Sequence, residues 1–525
     1  MGLRLKRSTT LDPAAAIEAA RIALSKGEIS TAERLCTEVL ASAPEAARAW
    51  AILTETALLR NRADAAIVCA ERAATLLPHD PIGHILRAKC FIILGEAVRA
   101  RHAAETVLQR VGTAPEALDA LGAIFGQLGQ HQTAEQLLQR AVETRPDVPQ
   151  YLFNLAATER MTGNLDAAEL HCDAAIALDS HYCLAYYLRA DLRTQTHERN
   201  HIAQMESLLR AATLGRQGEA LLHFALAKEL EDLGEHARAI DHVVAGGDLH
   251  RRSIQYDAAA EISDIDRIIR TQTQAWLVSL PAGFADTDPV FVVGLPRTGT
   301  TLVERIIASH SAVVSAGETN TFAAELHRAT KAGSGTLEIA DLGRRYVEAV
   351  TAFAVPRNTR FIDKTLQNYL HCGIIHAALP RAKIILIRRH PLDACWAMYK
   401  AHFQEGLFSF SYDQLELAEY YLAFRRLAQH WRSVLPAHAL LEVRYEDIVG
   451  RQAAESRRII DFLGLPWEED VLRFHQSKVP SATASAVQVR RPIYSSSVGK
   501  WRFHAQHLSP LHARLARAIP SSELA

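Results

Sequence analysis

The spacing of apolar residues changes character once along this chain, near residue 285. Before that point the sequence is rich in alanine and leucine, poor in proline, and almost without strand-like runs. A turn residue followed five positions later by alanine occurs at Gly27/Ala32, Asn61/Ala66, Gly95/Ala100, Gly129/Ala134 and Gly163/Ala168, each pair 34 residues after the last. Pro44, Pro78 and Pro146 keep the same register, and Gly234/Ala239 rejoins the pattern after a degenerate unit around His197 and a three-residue slip. Each element has a physical role. Glycine ends one helix with a left-handed cap, alanine lets the next helix cross closely, and proline stops the pair.

A period of 34 with small residues at the helix crossing is the tetratricopeptide signature. Residues 13–247 are therefore predicted to be an all-α solenoid, preceded by a tail over residues 1–12. Trp50, Leu53, Leu58, Phe91 and Leu94 take packing positions in it. Ile262, Ile265, Ile268, Ile269 and Trp276 keep a helical spacing without the repeat, so residues 248–285 read as capping and linker helices. His171, Cys172, His181 and Cys183 cluster in number, but their spacing reads as packing and surface positions more than as metal ligands.

Beyond residue 285 short apolar runs alternate with helical segments. Val290–Val293, the run ending at Gly317-Glu318, Arg360–Lys364, Ala382–Arg389 and Leu440–Asp447 are the strands, with Ala382–Arg389 as the clearest central one. Strands alternating with helices predict a parallel sheet with crossover helices over residues 286–525. Polar residues gather at the C-terminal ends of these strands, where open α/β sheets bind ligands.

After the first strand, Gly294-Leu-Pro-Arg-Thr-Gly299 breaks the period, and Leu302, Ile306 and Ile307 then recur at helical spacing. A glycine-containing turn feeding a helix N-terminus offers unpaired backbone N–H groups and the positive end of the helix dipole, an anion site built from backbone. The spacing Gly294-x4-Gly299 is that of a phosphate-binding loop, but Thr300-Thr301 follows where a nucleoside triphosphatase has lysine. Arg297 stands inside the loop instead. The predicted ligand is phosphate-bearing and is not ATP.

Composition narrows the setting. The 525 residues suffice for several domains, and a formal net charge of −1 argues against coating nucleic acid or a polybasic membrane role. Seven dispersed cysteines without a CxxC pair predict reduced thiols in a cytoplasmic protein. No signal-peptide core and no apolar run of membrane-spanning length is found, so no membrane span is expected.

Four motifs carry a specific resemblance. They are Pro296-Arg-Thr-Gly-Thr-Thr301, Arg389-x-Pro-x-Asp393, Arg444-Tyr-Glu-Asp447, and Ser485-x-x-Gln-Val-x-x-Pro492 continuing to Lys500-Trp501. In this order the segment from about Pro289 onward resembles sulfotransferases that use 3′-phosphoadenosine 5′-phosphosulfate (PAPS). With the repeats in front, the chain resembles the bacterial tetratricopeptide-repeat sulfotransferases, whose catalytic part is similar to tyrosylprotein sulfotransferases. The resemblance implies PAPS as donor and no metal. It implies Arg297, Thr298, Gly299, Thr300 and Thr301 at the 5′-phosphosulfate, and Arg389, Tyr445, Ser485 and Lys500 around the rest of the nucleotide. Glu318 matches the family's general base and Lys364 the lysine at the bridging oxygen.

The residues also admit plainer roles. Glu318 could cap the helix that follows it, and Lys364 could be a solvated lysine at a strand end. One of His371, His376, His390 and His402 is the alternative base. Asp393 and Glu446 are expected to fix their own loops, and Trp501 to pack or to neighbour adenine. Phe408, Phe410, Tyr412, Tyr420 and Tyr421 are expected in the core more than along an acceptor site. The family usually has serine eight residues after the strand-end arginine, and here that position is Ala397. The expected acceptor is a hydroxyl or amine of a peptide, protein or other molecule, with a protein partner or self-association through the repeats. Two alternatives are a nucleoside triphosphate-dependent kinase, against which the missing loop lysine speaks, and an inactive transferase fold on a repeat scaffold.

Overall fold

The structure is a computed structural model and describes residues 12–285, 289–331, 337–353, 359–403, 406–477, 479–480 and 487–525. It divides into two compact units, Met1–Arg145 and Pro146–Ala525.

In the first unit, antiparallel helix pairs follow the predicted register. Gly27, Asn61, Gly95 and Gly129 all adopt positive φ, between 55° and 77°. Ala32, Ala66, Ala100 and Ala134 are each 0% exposed. The left-handed turn and the close crossing thus fall where the 34-residue period puts them. Packing layers are small, with Ala16, Ala20, Ala32, Cys36 and Ile52 in one cluster and Ala66, Ala70, Leu86 and Cys90 in another.

The second unit opens on further pairs, Pro149–Thr162 with Leu165–Leu178 and Arg216–Asp232 with His236–Arg251. Between them the degenerate unit folds as two shorter helices, Cys183–Asp191 and Ile202–Arg210. Ala258–Thr271 and Gln274–Ser279 then lead to a five-stranded parallel sheet. Its strands are β1 (Val290–Gly294), β2 (Val313–Gly317), β3 (Arg360–Asp363), β4 (Lys383–Arg388) and β5 (Leu440–Arg444), in the order β2-β3-β1-β4-β5. The last strand is shorter than expected. Leu440–Arg444 is extended, but Tyr445–Gly450 is helical, because Glu446 and Asp447 sit favourably in a helix's first turn.

Both faces of the sheet are covered, as its continuous apolar strands require. Phe291, Val293, Ile384 and Leu386 point into one core with Phe322, Tyr346, Trp396 and Trp431. Val290, Val292, Ile385 and Ile387 point into the other with Ile306, Ile307, Val443 and Ile459. The first of these cores also takes in Ala227, Ile240 and Val243 from the last repeat pair, together with Ile265. The aromatic segment belongs there too: Phe410, Tyr420 and Tyr421 are core members and Phe408 packs against them. Among the described residues, no helix is long and apolar enough to cross a membrane.

Candidate active site

Strand order decides where the site lies. The chain leaves β1, fills β2 and β3 on one side, then crosses to β4 and β5 on the other, so β1 and β4 flank the point of reversal. Side chains from the C-terminal ends of the strands converge there.

The loop after β1 bends through Arg297 (φ 65°) and Gly299 (φ 101°) and enters the helix Thr300–Ala308. Thr298 Oγ1 donates to Leu295 O at 2.7 Å, which pins the turn. The first N–H groups of a helix have no carbonyl partner within it, so they face the loop mouth as donors. Thr298, Thr300 and Thr301 are all buried here. Arg297 reaches outward, its Nη2 3.4 Å from Gln488 Oε1.

Arg389 follows β4 and lies against this loop. Its Nη1 donates to Arg297 O at 2.9 Å and its Nη2 to Ser497 O at 2.5 Å, and its guanidinium stands 4.7 Å over the Tyr445 ring. Tyr445 OH is 2.6 Å from Ser497 Oγ. Arg389 Nε is buried without a hydrogen-bond partner among the described residues. A cation satisfied by neutral carbonyls, with one donor unspent, suits a phosphate. Arg388 turns away instead, toward Glu442 (3.3 Å) and Glu523 (3.6 Å).

Two carboxylates assigned to their own loops do something different. Asp393, 1% exposed, accepts from Gly499 N at 2.6 Å and Trp501 N at 3.2 Å, so it holds the C-terminal segment. Glu446 accepts from His390 N at 2.7 Å and so ties β5's continuation to β4's. In both cases the partner lies far along the chain, which local reading does not anticipate. Trp501 stacks on His390, with ring centroids 5.9 Å apart and planes 7° from parallel. Lys500 lies 3.8 Å from Glu231 Oε1 on the repeat helix Arg216–Asp232, and Lys400 also pairs with that carboxylate. Burial pushes Glu231 up, but Lys400 and Lys500 outweigh it and hold the carboxyl at about 2.

On the other side of β1 stands a second group. Lys364 follows β3, is 1% exposed, and forms an ion pair with Glu318, which follows β2. The Lys364 N–H donates to Gly317 O at 2.9 Å, so the two strand ends are locked together. Next to it, Asp363 accepts from Tyr346 OH (3.0 Å), Thr319 Oγ1 (3.2 Å) and Thr365 N (2.8 Å), with burial raising its carboxyl above the ordinary range. Glu304, on the helix after the loop, lies 3.9 Å from Lys364 Nζ.

The sequence-predicted residues thus gather in two groups around the end of β1: Arg297, Thr298, Gly299, Thr300, Thr301, Arg389 and Tyr445 in one, Glu318 and Lys364 in the other. Lys500 is turned toward Glu231. Ser485 lies outside the described residues. Ala397 is buried in the helix Pro391–Tyr399 and offers no hydroxyl. Sequence reading missed Glu304, Ser497, Glu231 and Lys400. Glu304 alone had a signal, since a carboxylate on a short helix behind a central loop has little solvent to face.

Burial holds His371 and His402 down at about 4, and lowers His376 and His390. These rings are weaker proton acceptors than an ordinary imidazole. His171 and His181 bond to Glu159 (2.8 Å) and Thr213 (2.9 Å), and Cys172 and Cys183 are buried.

Residues 289–469 match the sulfotransferase family, and residues 17–81 and 120–182 match the tetratricopeptide repeat. An uncharacterized protein of Aquifex aeolicus (strain VF5) is 28% identical over 396 residues, covering 72% of this chain and 52% of that protein. Protein-tyrosine sulfotransferase A of Caenorhabditis elegans is 23% identical over 238 residues, covering 42% of this chain and 62% of that protein. Among solved structures, the sulfotransferase domain of the Synechococcus PCC 7002 olefin synthase is similar with a TM-score of 0.33 and 19% identity, over 44% of this chain and 97% of that one. One chain thus carries matches to both the tetratricopeptide repeat and the sulfotransferase family.

Proposed function

We propose that the protein transfers a sulfuryl group from PAPS to a hydroxyl or amine, with Glu318 as general base and Lys364 at the departing phosphate oxygen. The observation that carries this reading is the position of Lys364. It is buried between Glu318 and a carboxylate on the helix that leads out of the phosphate loop. A lysine so placed can put positive charge where the donor's sulfur–oxygen bond breaks. Glu318 accepts the proton of the acceptor O–H or N–H as that atom bonds to sulfur, and the electron pair of the broken bond stays on the 5′-phosphate.

The donor's two charged ends have counterparts. Arg297, Thr298, Gly299, Thr300 and Thr301 would hold the 5′-phosphosulfate. Arg389, on the Tyr445 ring, would exchange its carbonyl partners for the 3′-phosphate, and Lys500 would join it by leaving Glu231. No group of three or more metal-ligating residues is found among the described residues, and the proposed chemistry routes no step through a metal.

The acceptor proposed is a peptide, a protein or another molecule delivered beside the repeats, which themselves offer a surface for a protein partner or for self-association. The nematode relative's name makes protein tyrosine one candidate. Seven free cysteines suit the reducing cytoplasm. The alternative, an inactive fold on a scaffold, rests on Ala397. Incubating the protein with labelled PAPS and a lysate of its source cell tests both readings. A labelled product that disappears in Lys364→Ala supports the enzyme. Absence of transfer, together with no thermal stabilisation by adenosine 3′,5′-bisphosphate, favours the scaffold.

A further inference from the structure

The helix Thr300–Ala308 is buried on nearly every side, and one of its buried residues is a carboxylate. Glu304 is 6% exposed, yet no catalytic or structural role follows from the loop motif that precedes it. Its two oxygens are separately engaged. Oε1 accepts from Ser315 Oγ at 2.5 Å, and Ser315 Oγ in turn accepts from Gly317 N at 3.1 Å. Oε2 faces Lys364 Nζ at 3.9 Å. One carboxylate therefore reaches the backbone turn that carries Glu318 and the side chain that Glu318 pairs with.

From this geometry we infer that Glu304 is a positioning residue that keeps Lys364 charged and aimed while Glu318 changes its protonation state. The inference rests on the proposed roles of Glu318 and Lys364. In the resting protein Glu318 pairs with Lys364. Once Glu318 has taken the acceptor's proton it is neutral, and its pull on the ammonium is lost. A buried ammonium without a counter-ion favours deprotonation or a move toward water. Glu304 then supplies the remaining negative charge, from a distance too long for a direct hydrogen bond, so the lysine is held yet left free to donate elsewhere.

Among the described residues, the charged groups facing this cluster are few. From the sheet come Glu318 and Lys364, with Asp363 beside them bonded to Tyr346, Thr319 and Thr365. From the helix itself comes Arg305, whose Nη2 donates to Pro480 O at 2.6 Å. Ser315 is the neutral link. Glutamine at position 304 keeps an oxygen for Ser315 and removes the charge, so it separates positioning by charge from packing.

Two measurements test the inference, one of them independent of turnover. In protein carrying 13C-labelled lysine, the Lys364 Cε signal is identified by its loss in Lys364→Arg. It should shift in Glu304→Gln as well as in Glu318→Gln. In labelled-PAPS assays, Glu304→Gln should lower kcat by about tenfold or more while the donor KM stays within about twofold. Glu304→Asp should recover part of the loss. An unmoved Lys364 signal, or a fall in thermal stability with kcat unchanged, overturns the inference. If the wild type transfers nothing, the proposed function fails by itself, and the lysine signal still decides whether Glu304 governs Lys364.

Discussion

Gly299 lies against the ring of Tyr445: a methyl group on its α-carbon would fall 2.5 Å from Tyr445 Cδ2. The same residue has φ 101°, which L side chains rarely adopt. Gly299→Ala should therefore push the loop away from Tyr445 and Arg389 at a cost of about 1–3 kcal/mol. The expected result is a lower Tm and no stabilisation by adenosine 3′,5′-bisphosphate. Tyr445→Phe, which loses only the contact with Ser497 Oγ, should keep most of that stabilisation.

The cation at the end of β4 gives a second prediction. Arg389→Lys keeps charge but loses the fork now spread between Arg297 O and Ser497 O. Losing one hydrogen bond to a charged phosphate costs about 1.5–3 kcal/mol, or roughly 10- to 100-fold in affinity. Calorimetric titration with adenosine 3′,5′-bisphosphate measures it. Ala397→Ser, which restores the hydroxyl usual in the family, should tighten the same binding, and no gain would show that the helix Pro391–Tyr399 does not face the phosphate.

Removing either member of the Glu318–Lys364 pair should act on turnover more than on donor binding. Glu318→Gln is expected to lower kcat by about 10²–10⁴-fold, and Lys364→Ala by about 10²–10³-fold. Both should retain stabilisation by the bisphosphate. Undiminished turnover in either variant removes that residue from the mechanism.

His504 makes stability depend on pH. It is 1% exposed, its ring lies 4.0 Å from Trp396 and 5.4 Å from His236, and burial lowers it from 6.5 to about 4, with Glu231 pulling upward and His236 and Lys400 pushing down. Between those two values the unfolded chain binds a proton that the folded chain does not. The stability is therefore present above pH 6.5 and is lost as pH falls toward 4, at up to about 1.4 kcal/mol per pH unit from this group. His504→Asn should flatten the fall of Tm over that range. Parallel curves for the two proteins would exclude His504 as the cause.

The repeats offer a simpler check. Ala100 is 0% exposed at a helix crossing, so Ala100→Leu should destabilise the first unit by about 1–3 kcal/mol. Chemical denaturation would show it as a lower midpoint.

What was legible in the sequence had a local pattern behind it. The caps at Gly27, Asn61, Gly95, Gly129 and Gly163 follow from one repeated spacing, and the loop from Pro296 to Thr301 follows from the backbone geometry that an anion demands. β4 was legible because a strand covered on both faces is apolar throughout. The end of β5 was not, because Tyr445-Glu-Asp447 continues an extended-looking run while its acids favour a helix start. The partners of Asp393 and Glu446 were hidden for a different reason. Gly499 is 106 residues from Asp393 and His390 is 56 from Glu446, and no periodicity encodes such distances. Glu304 is easily passed over because acids on helices are usually solvated, although a short helix behind a central loop leaves this one little solvent to face.

The contact between Arg490 and the turn at Gly163 bears on where the chain can be cut. Arg490 Nη2 donates to Met161 O at 2.8 Å, and a methyl group on Gly163 would lie 2.7 Å from Arg490 Cζ. The glycine that ends a repeat helix is thus also the seat of an arginine from the transferase domain. A cut near residue 286 would part Ala227, Ile240 and Val243 from the core they share with the sheet. A fragment that keeps both this contact and the shared core should therefore begin near residue 146, at the start of the second compact unit.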